Sequence, residues 1–453
     1  MTTSSRGQWA TKLGFILSAA GSAVGLGNIW RFPYLTGQNG GAAFVLVYLC
    51  CVVLIGVPGL MNEMALGRLT AKNSLGAFRS TGASLIFRIT GGMLAISVSF
   101  FVLSYYTVIA GWTLGYMGTT LAGTAVPFQT FIATPEWVLP LTALAMLVTI
   151  IIVAGGISGG IEKANKIMMP ALFGLLLLVI IRSLTLPGAM EGVRYYLIPD
   201  FTVIDGTVVL KALTQAFFSL GIGWGIILTY GSYMPKDHSI PASSLWVGIT
   251  DTSVALLAGL MVFPAVFAFG SDPASGPTLV FEVLAGIFPK MPLGNIFGAL
   301  FYLLLFFAAI TSTISMVEVV GSWLIDEKRW SRKKAAWVTG SLAFVAGIPS
   351  ALSKGASELF TNFTLLGQVS LMDVMDFLFG TIIMLFVVLM TLLYTGWAMD
   401  TRNVVEEIEH GSPSFTRPIL FGIRADQLWV FMIRFVCPAV ILLVMFSQLK
   451  SLF

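Results

Sequence analysis

Apolar residues run in long stretches separated by short polar intervals, and stretches of this length fit a bilayer rather than a water-soluble core. A crossing helix needs about 20 apolar residues, and by that measure the chain holds about eleven candidates: 13–34, 42–66, 88–120, 137–154, 167–186, 208–231, 242–270, 294–324, 335–350, 368–398 and 428–449. Two are interrupted. The first carries Gly21-Ser22-Ala23-Val24-Gly25-Leu26-Gly27-Asn28 at its middle, and the sixth carries Gln215-Ala216-Phe217-Phe218-Ser219-Leu220-Gly221-Ile222-Gly223-Trp224-Gly225. Glycine weakens a helix. Hydrocarbon offers no water to the backbone groups a break sets free, so such a break lines a cavity enclosed by protein. Broken helices at corresponding positions of two halves mark a transport site. The predicted fold is an all-α polytopic membrane protein with an inverted five-plus-five repeat. It forms one membrane transport domain over 1–453: a first half at 1–190, a second at 200–400, and a loop with a final span at 401–453.

Composition agrees, with 57% hydrophobic residues, 10% charged and a mean hydropathy of +0.91. The stretch 13–34 is too long for a cleaved signal peptide, so the N-terminus is expected to be retained. Basic residues gather in alternate loops, among them Lys72, Arg79, Lys163, Lys166, Lys328, Arg329, Lys333 and Lys334. That bias predicts a cytoplasmic N-terminus and, after an odd number of spans, a C-terminus outside. A net charge of +4 gives no reason to expect nucleic acid. Cys50, Cys51 and Cys437 all fall inside predicted spans and read as packing residues. Between spans seven and eight, Leu279, Val280, Val283, Leu284, Ile287 and Phe288 suit a short helix capping an entrance. Gly160 and Pro170 near the fifth span leave two readings open, local unwinding or an ordinary helix boundary.

Polar groups at membrane depth cost about 2.5–3.5 kcal/mol or more unless paired or hydrated. Asn28, Arg31, Glu63, Gln215, Asp251, Glu318, Asp373 and Asp376 all lie in or at the edge of spans. The two breaks supply complementary poles. A half-helix that starts after an interruption turns free N–H groups toward an anion, and one that ends before it leaves carbonyls for a cation or ammonium group. A zwitterionic amino acid suits both. Enzymatic chemistry has no foothold: His238 and His410 sit in predicted loops, so no nucleophile–base or metal-ligand pair lies at membrane depth. The run Gly155-Gly156-Ile157-Ser158-Gly159-Gly160 lacks the Gly-Lys-Ser/Thr of a P-loop.

Several motifs resemble the neurotransmitter:sodium symporter family. They are Trp9-Ala10-Thr11-Lys12, the run Gly21 to Asn28 continued by Ile29-Trp30-Arg31-Phe32-Pro33-Tyr34, Asn39-Gly40-Gly41, Gly56-Val57-Pro58 with Glu63, Gly67 and Arg68, and Phe306-Phe307-Ala308-Ala309-Ile310-Thr311-Ser312. The resemblance covers essentially the whole chain and is strongest to bacterial transporters of hydrophobic amino acids. It implies a sodium-coupled symporter working by alternating access in a bacterial plasma membrane, with L-amino acid and two sodium ions as partners. The first sodium site would be Ala23, Asn28, Ser219 and Asp251. The second would be Gly21, Val24, Ala308, Thr311 and Ser312. Members that carry monoamines have aspartate at the position of Gly25, so glycine there implies a substrate bringing its own carboxylate. That group would meet the N–H groups around Leu26 and Gly27 and the Tyr106 hydroxyl, while carbonyls of Ala23, Phe218 and Gly221 take the amino group. Val102, Tyr106, Phe218, Ser219, Ile222, Trp224, Ser312 and Met316 would surround the side chain. Gly221 replaces a serine, and Met316 is an adaptable filler, so aliphatic and aromatic substrates are both expected. By the same resemblance Arg31 and Asp376 form an outer gate, with Gln215 and Asp373 nearby, and Arg6, Trp9, Tyr233 and Asp326 close the inner side.

The chain departs from the family pattern at two instructive positions. Asp251 replaces the usual asparagine, and Ala255 replaces the serine of chloride-dependent relatives, so a fixed carboxylate takes the part of chloride and transport is expected to be chloride-independent. Asp251 also leaves open a proton counter-movement. Two alternatives stand beside sodium symport: a proton-coupled amino-acid transporter of the same fold, and an amino-acid sensor that does not transport.

Overall fold

A computed structural model describes residues 7–124, 126–274, 279–420 and 422–450 of the chain. Nine helices among the described residues are long and apolar enough to cross a membrane: Ala42–Thr70, Leu85–Leu121, Pro135–Ala154, Ile157–Leu184, Ile240–Ala268, Gly294–Lys328, Arg332–Leu352, Leu371–Ala398 and Ala425–Lys450. The other two predicted spans are the interrupted ones. Lys12–Ala23 and Gly27–Gln38 meet at a bend of 51°. Gly206–Ser219 and Ile226–Gly231 have 14 and 6 residues, against the roughly 20 that a crossing needs. Strand is confined, among the described residues, to two short hairpins, Thr364–Leu365 with Gln368–Val369 and Pro418–Leu420 with Ile423–Arg424. The protein is thus an all-α polytopic membrane protein. Apolar side chains such as Ile151, Leu442 and Phe446 stay exposed on its helices, where lipid rather than water covers them.

The two breaks have different causes. In the second, Gly221, Gly223 and Gly225 adopt φ of 65°, 84° and 71°, a region that other residues enter at a cost of about 1–2 kcal/mol. The first break has no residue at positive φ. Its glycines are required by close approach: a Cβ on Gly25 would lie 2.7 Å from both Ser312 Oγ and the Tyr106 hydroxyl, and one on Gly27 3.1 Å from the Phe218 ring.

The fifth span runs through Gly160 and Pro170 without interruption, from a wide turn at Ile157–Glu162 into Lys163–Leu184. The ordinary boundary is therefore what this conformation contains. The segment between spans seven and eight is helical over Leu279–Val283, Leu284–Ile287 and Phe288–Lys290, with Leu284, Ile287 and Phe288 buried.

Candidate functional site

The breaks face each other. Asn28, just past the first, donates through Nδ2 to Ser219 Oγ at 3.0 Å, to the Asp251 carbonyl at 3.0 Å and to Asp251 Oδ1 at 2.7 Å. Ser219 Oγ donates to both Asp251 oxygens, at 3.1 and 2.9 Å. All three side chains are buried. Asn28 Oδ1 accepts the Gly25 N–H at 3.0 Å, so one amide both closes the turn and reaches across to spans six and seven. Tyr48 completes the cluster, with its hydroxyl 3.3 Å from Asp251 Oδ2 and 3.4 Å from Ser219 Oγ. Nothing in the sequence pattern singles out Tyr48, since a tyrosine within an apolar run reads as core.

The end of Lys12–Ala23 leaves carbonyls to be satisfied. Val24 N–H closes the helix on the Ala20 carbonyl at 2.6 Å. Ser312 Oγ donates to the Ser22 carbonyl at 3.2 Å, and Thr311 Oγ1 lies 3.4 Å from that of Val24. Both hydroxyls also reach back to the Ala308 carbonyl of their own helix, at 2.9 Å from Thr311 and 3.3 Å from Ser312. Val24, Ala308, Thr311 and Ser312 therefore meet. The carbonyls of Gly21 and Ala23, one from each predicted sodium set, accept no hydrogen bond from the described residues after the break. Such oxygen donors are the kind hard cations take.

Between the breaks, Leu26 N–H donates to the Tyr106 hydroxyl at 2.8 Å. The Phe218 and Trp224 rings meet edge to face at 5.5 Å. Val102, Met316 and Trp224 are buried, and the Trp224 carbonyl accepts from Ser99 at 2.5 Å. A Cβ on Gly221 would meet nothing within 4 Å, whereas Ile222 packs toward Gly59 of the second span. Glu63 supports the second break: its Oε1 accepts the Gly223 N–H at 2.7 Å. This side chain stood out only as a charge at membrane depth, and its partner emerges with the fold.

The gate residues lie at the two ends of this core. Arg31, Asp373, Asp376, Phe218 and Tyr106 line one cavity of about 110 Å³. Arg31 and Asp376 share that cavity without forming an ion pair. Arg31 stacks on the Phe218 ring at 4.3 Å, and Asp376 Oδ1 accepts from the Tyr105 hydroxyl at 2.7 Å. Asp373 pairs with Lys354 at 2.7 Å, and Gln215 Nε2 donates to the Gly27 carbonyl at 2.9 Å. At the opposite end Arg6 lies outside the described residues. Trp9 is buried, donates its indole N–H to the Tyr230 carbonyl at 3.0 Å, and packs against the Tyr230 and Tyr233 rings. Tyr233 donates to Glu318 Oε1 at 2.7 Å, and Glu318 pairs with Arg332 at 2.6 Å. Asp326 accepts the Asn73 N–H and side-chain amide, each at 3.0 Å. Among the described residues a cavity lies beside Arg31, whereas Trp9 is buried against Tyr230 and Tyr233.

Comparison with known proteins places this geometry. The family model described as the sodium:neurotransmitter symporter family matches residues 6–140 and 130–452. The chain is 37% identical to the uncharacterized sodium-dependent transporter YhdH of Bacillus subtilis (strain 168), over 98% of each chain. It is 35% identical to an uncharacterized sodium-dependent transporter of Haemophilus influenzae, over 99% of this chain and 100% of that one. The crystal structure of MhsT in complex with L-phenylalanine matches with a TM-score of 0.87 at 40% identity, covering 98% of this chain and 100% of that chain.

Proposed function

The chain belongs to the sodium:neurotransmitter symporter family, and from that membership we propose that this sodium-coupled transporter carries hydrophobic L-amino acids, aliphatic and aromatic, with two sodium ions and without chloride. As a family member it is a transporter and not an enzyme. The observation that carries the substrate reading is the crowding at Gly25. A side chain there would strike Ser312 Oγ and the Tyr106 hydroxyl, so this position has no room for a protein carboxylate, and a carboxylate arriving with the substrate would take over the Leu26 N–H and the Tyr106 hydroxyl that now bond each other at 2.8 Å. Open space beside Gly221 suits an aromatic side chain, in keeping with the L-phenylalanine in the MhsT crystal structure.

In this proposal the first sodium binds among Ala23, Asn28, Ser219 and Asp251, with the Asn28 amide turning to present its oxygen. The second binds among Gly21, Val24, Ala308, Thr311 and Ser312. Two inverted halves, 1–190 and 200–400, rock about these sites in a bacterial plasma membrane, with the N-terminus cytoplasmic and the C-terminus outside. Arg31 and Asp376 meet when the outer cavity closes, and the Trp9 cluster parts when the inner side opens. A tenfold sodium gradient supplies about 1.4 kcal/mol per ion, and 100 mV supplies about 2.3 kcal/mol per charge. Two ions together give roughly 7 kcal/mol, enough for an accumulation on the order of 10⁵. The test is uptake of labelled leucine, phenylalanine and tryptophan into proteoliposomes. Accumulation that stops when choline replaces sodium and continues when gluconate replaces chloride supports the proposal. Accumulation in choline, driven by a proton gradient, would point to proton coupling instead.

A further inference from the structure

We propose that a second cavity, outside the transport path, binds small organic cations that have an aromatic or apolar body and no carboxylate. It lies where the end of Leu85–Leu121 meets the helical segment between spans seven and eight, and has a volume of about 490 Å³. That is the size of a small-molecule pocket. Tyr116, Phe128 and Phe281 line it. Phe128 and Phe281 stack at 5.0 Å, and the Tyr116 ring sits 5.9 and 6.1 Å from them. Phe128 and Phe281 turn their faces to each other, so the cluster gives an apolar wall for the ligand's body and leaves its cationic end to the Glu282 carboxylate on the same lining.

The charge of the lining agrees. Among the described residues Glu282 is the one acidic side chain that lines this cavity, and no lysine or arginine does. Gln129 donates its amide to Glu282 Oε1 at 2.7 Å, which holds the carboxylate beside the rings without neutralising it. A carboxylate-bearing ligand would meet this charge unfavourably. The cavity beside Arg31 differs, because there a guanidinium accompanies the two aspartates. Phe281 stands between the two spaces, with its ring also meeting Trp30 edge to face at 5.8 Å. An amino acid is therefore suited to the cavity beside Arg31, and an amine lacking the acid group to the one beside Glu282.

Calorimetric titration of benzyltrimethylammonium into the purified full-length protein, in buffer free of sodium and amino acid, tests this. Saturable binding is expected at up to about millimolar dissociation constants. It should weaken by about tenfold or more in Glu282→Gln, which removes the charge, and in Ala285→Trp, which fills the space from another wall. Asp376→Asn, in the other cavity, should leave it within about twofold. Thermal unfolding of each variant verifies that it folds. Absence of saturable binding, survival of binding in either cavity variant, or a comparable loss in Asp376→Asn overturns the proposal. Since neither sodium nor substrate is present, such a result leaves the transport reading untouched.

Discussion

Asp251 shows how much one residue carries. It is fully buried, and its described side-chain partners are Asn28, Ser219 and Tyr48, none of them basic. A buried carboxylate without a cation costs several kcal/mol, which is the physical support for the proposed first sodium site among these oxygens. Sodium-dependent binding of labelled amino acid should weaken by about tenfold or more in Ser219→Ala and Asp251→Ala, with Tyr48→Phe losing less because both of its contacts are long. If neither alanine variant moves the sodium dependence, the first site is misplaced. In the proposed pocket Gly221 sets selectivity at the same scale. Serine there would fill open space, and its φ of 65° adds strain. Competition binding with Gly221→Ser should therefore lose about tenfold for tryptophan relative to leucine, the usual worth of a small volume change in an apolar pocket.

At the scale of the element, the breaks look alike in sequence but fail differently. Gly223 needs its positive φ, and a Cβ there would lie 2.7 Å from the Met384 carbonyl. Gly223→Ala is expected to cost at least about 1–2 kcal/mol, read as a lower unfolding temperature. Gly25 has ordinary φ and is confined by the tips of Ser312 and Tyr106, so Gly25→Ala should unfold near the parent temperature while binding of labelled leucine collapses. Apolar length and glycine placement located both breaks because lipid tolerates broken backbone only beside protein. They did not separate φ from crowding as the cause, since that depends on which chain segment passes close by. The partners were equally hidden. Glu63 was visible as a misplaced charge, but its bond to Gly223 joins residues 160 positions apart.

For the whole molecule, the proposed cycle makes the charged groups that fasten the side bearing Trp9 the ones that set which face is open. Arg332, Glu318 and Tyr233 form one chain of contacts, and breaking a buried pair costs about 3–5 kcal/mol. Arg332→Ala should favour the inward-open state and lower accumulation. A cysteine at Ser315, whose hydroxyl now bonds Tyr230, should then be labelled several-fold faster in a background with Cys50, Cys51 and Cys437 replaced. Arg68 is a second fastening: its Nε meets Glu407 at 2.7 Å and it also holds the His238 carbonyl at 2.5 Å, tying the helix Thr401–His410 and the loop between the sixth and seventh spans to the second span. The amino-acid sequence by itself determined the membrane class, the spans and the two interruptions, because helix length, hydropathy and glycine placement are local properties. Its long motifs also carried the family. Only the tertiary structure decided that Tyr48 joins Asp251, that Asp373 pairs with Lys354, and that Arg31 stands apart from Asp376. Those contacts unite residues distant along the chain, and no local pattern records which of several neighbours a buried polar group will meet once the helices pack.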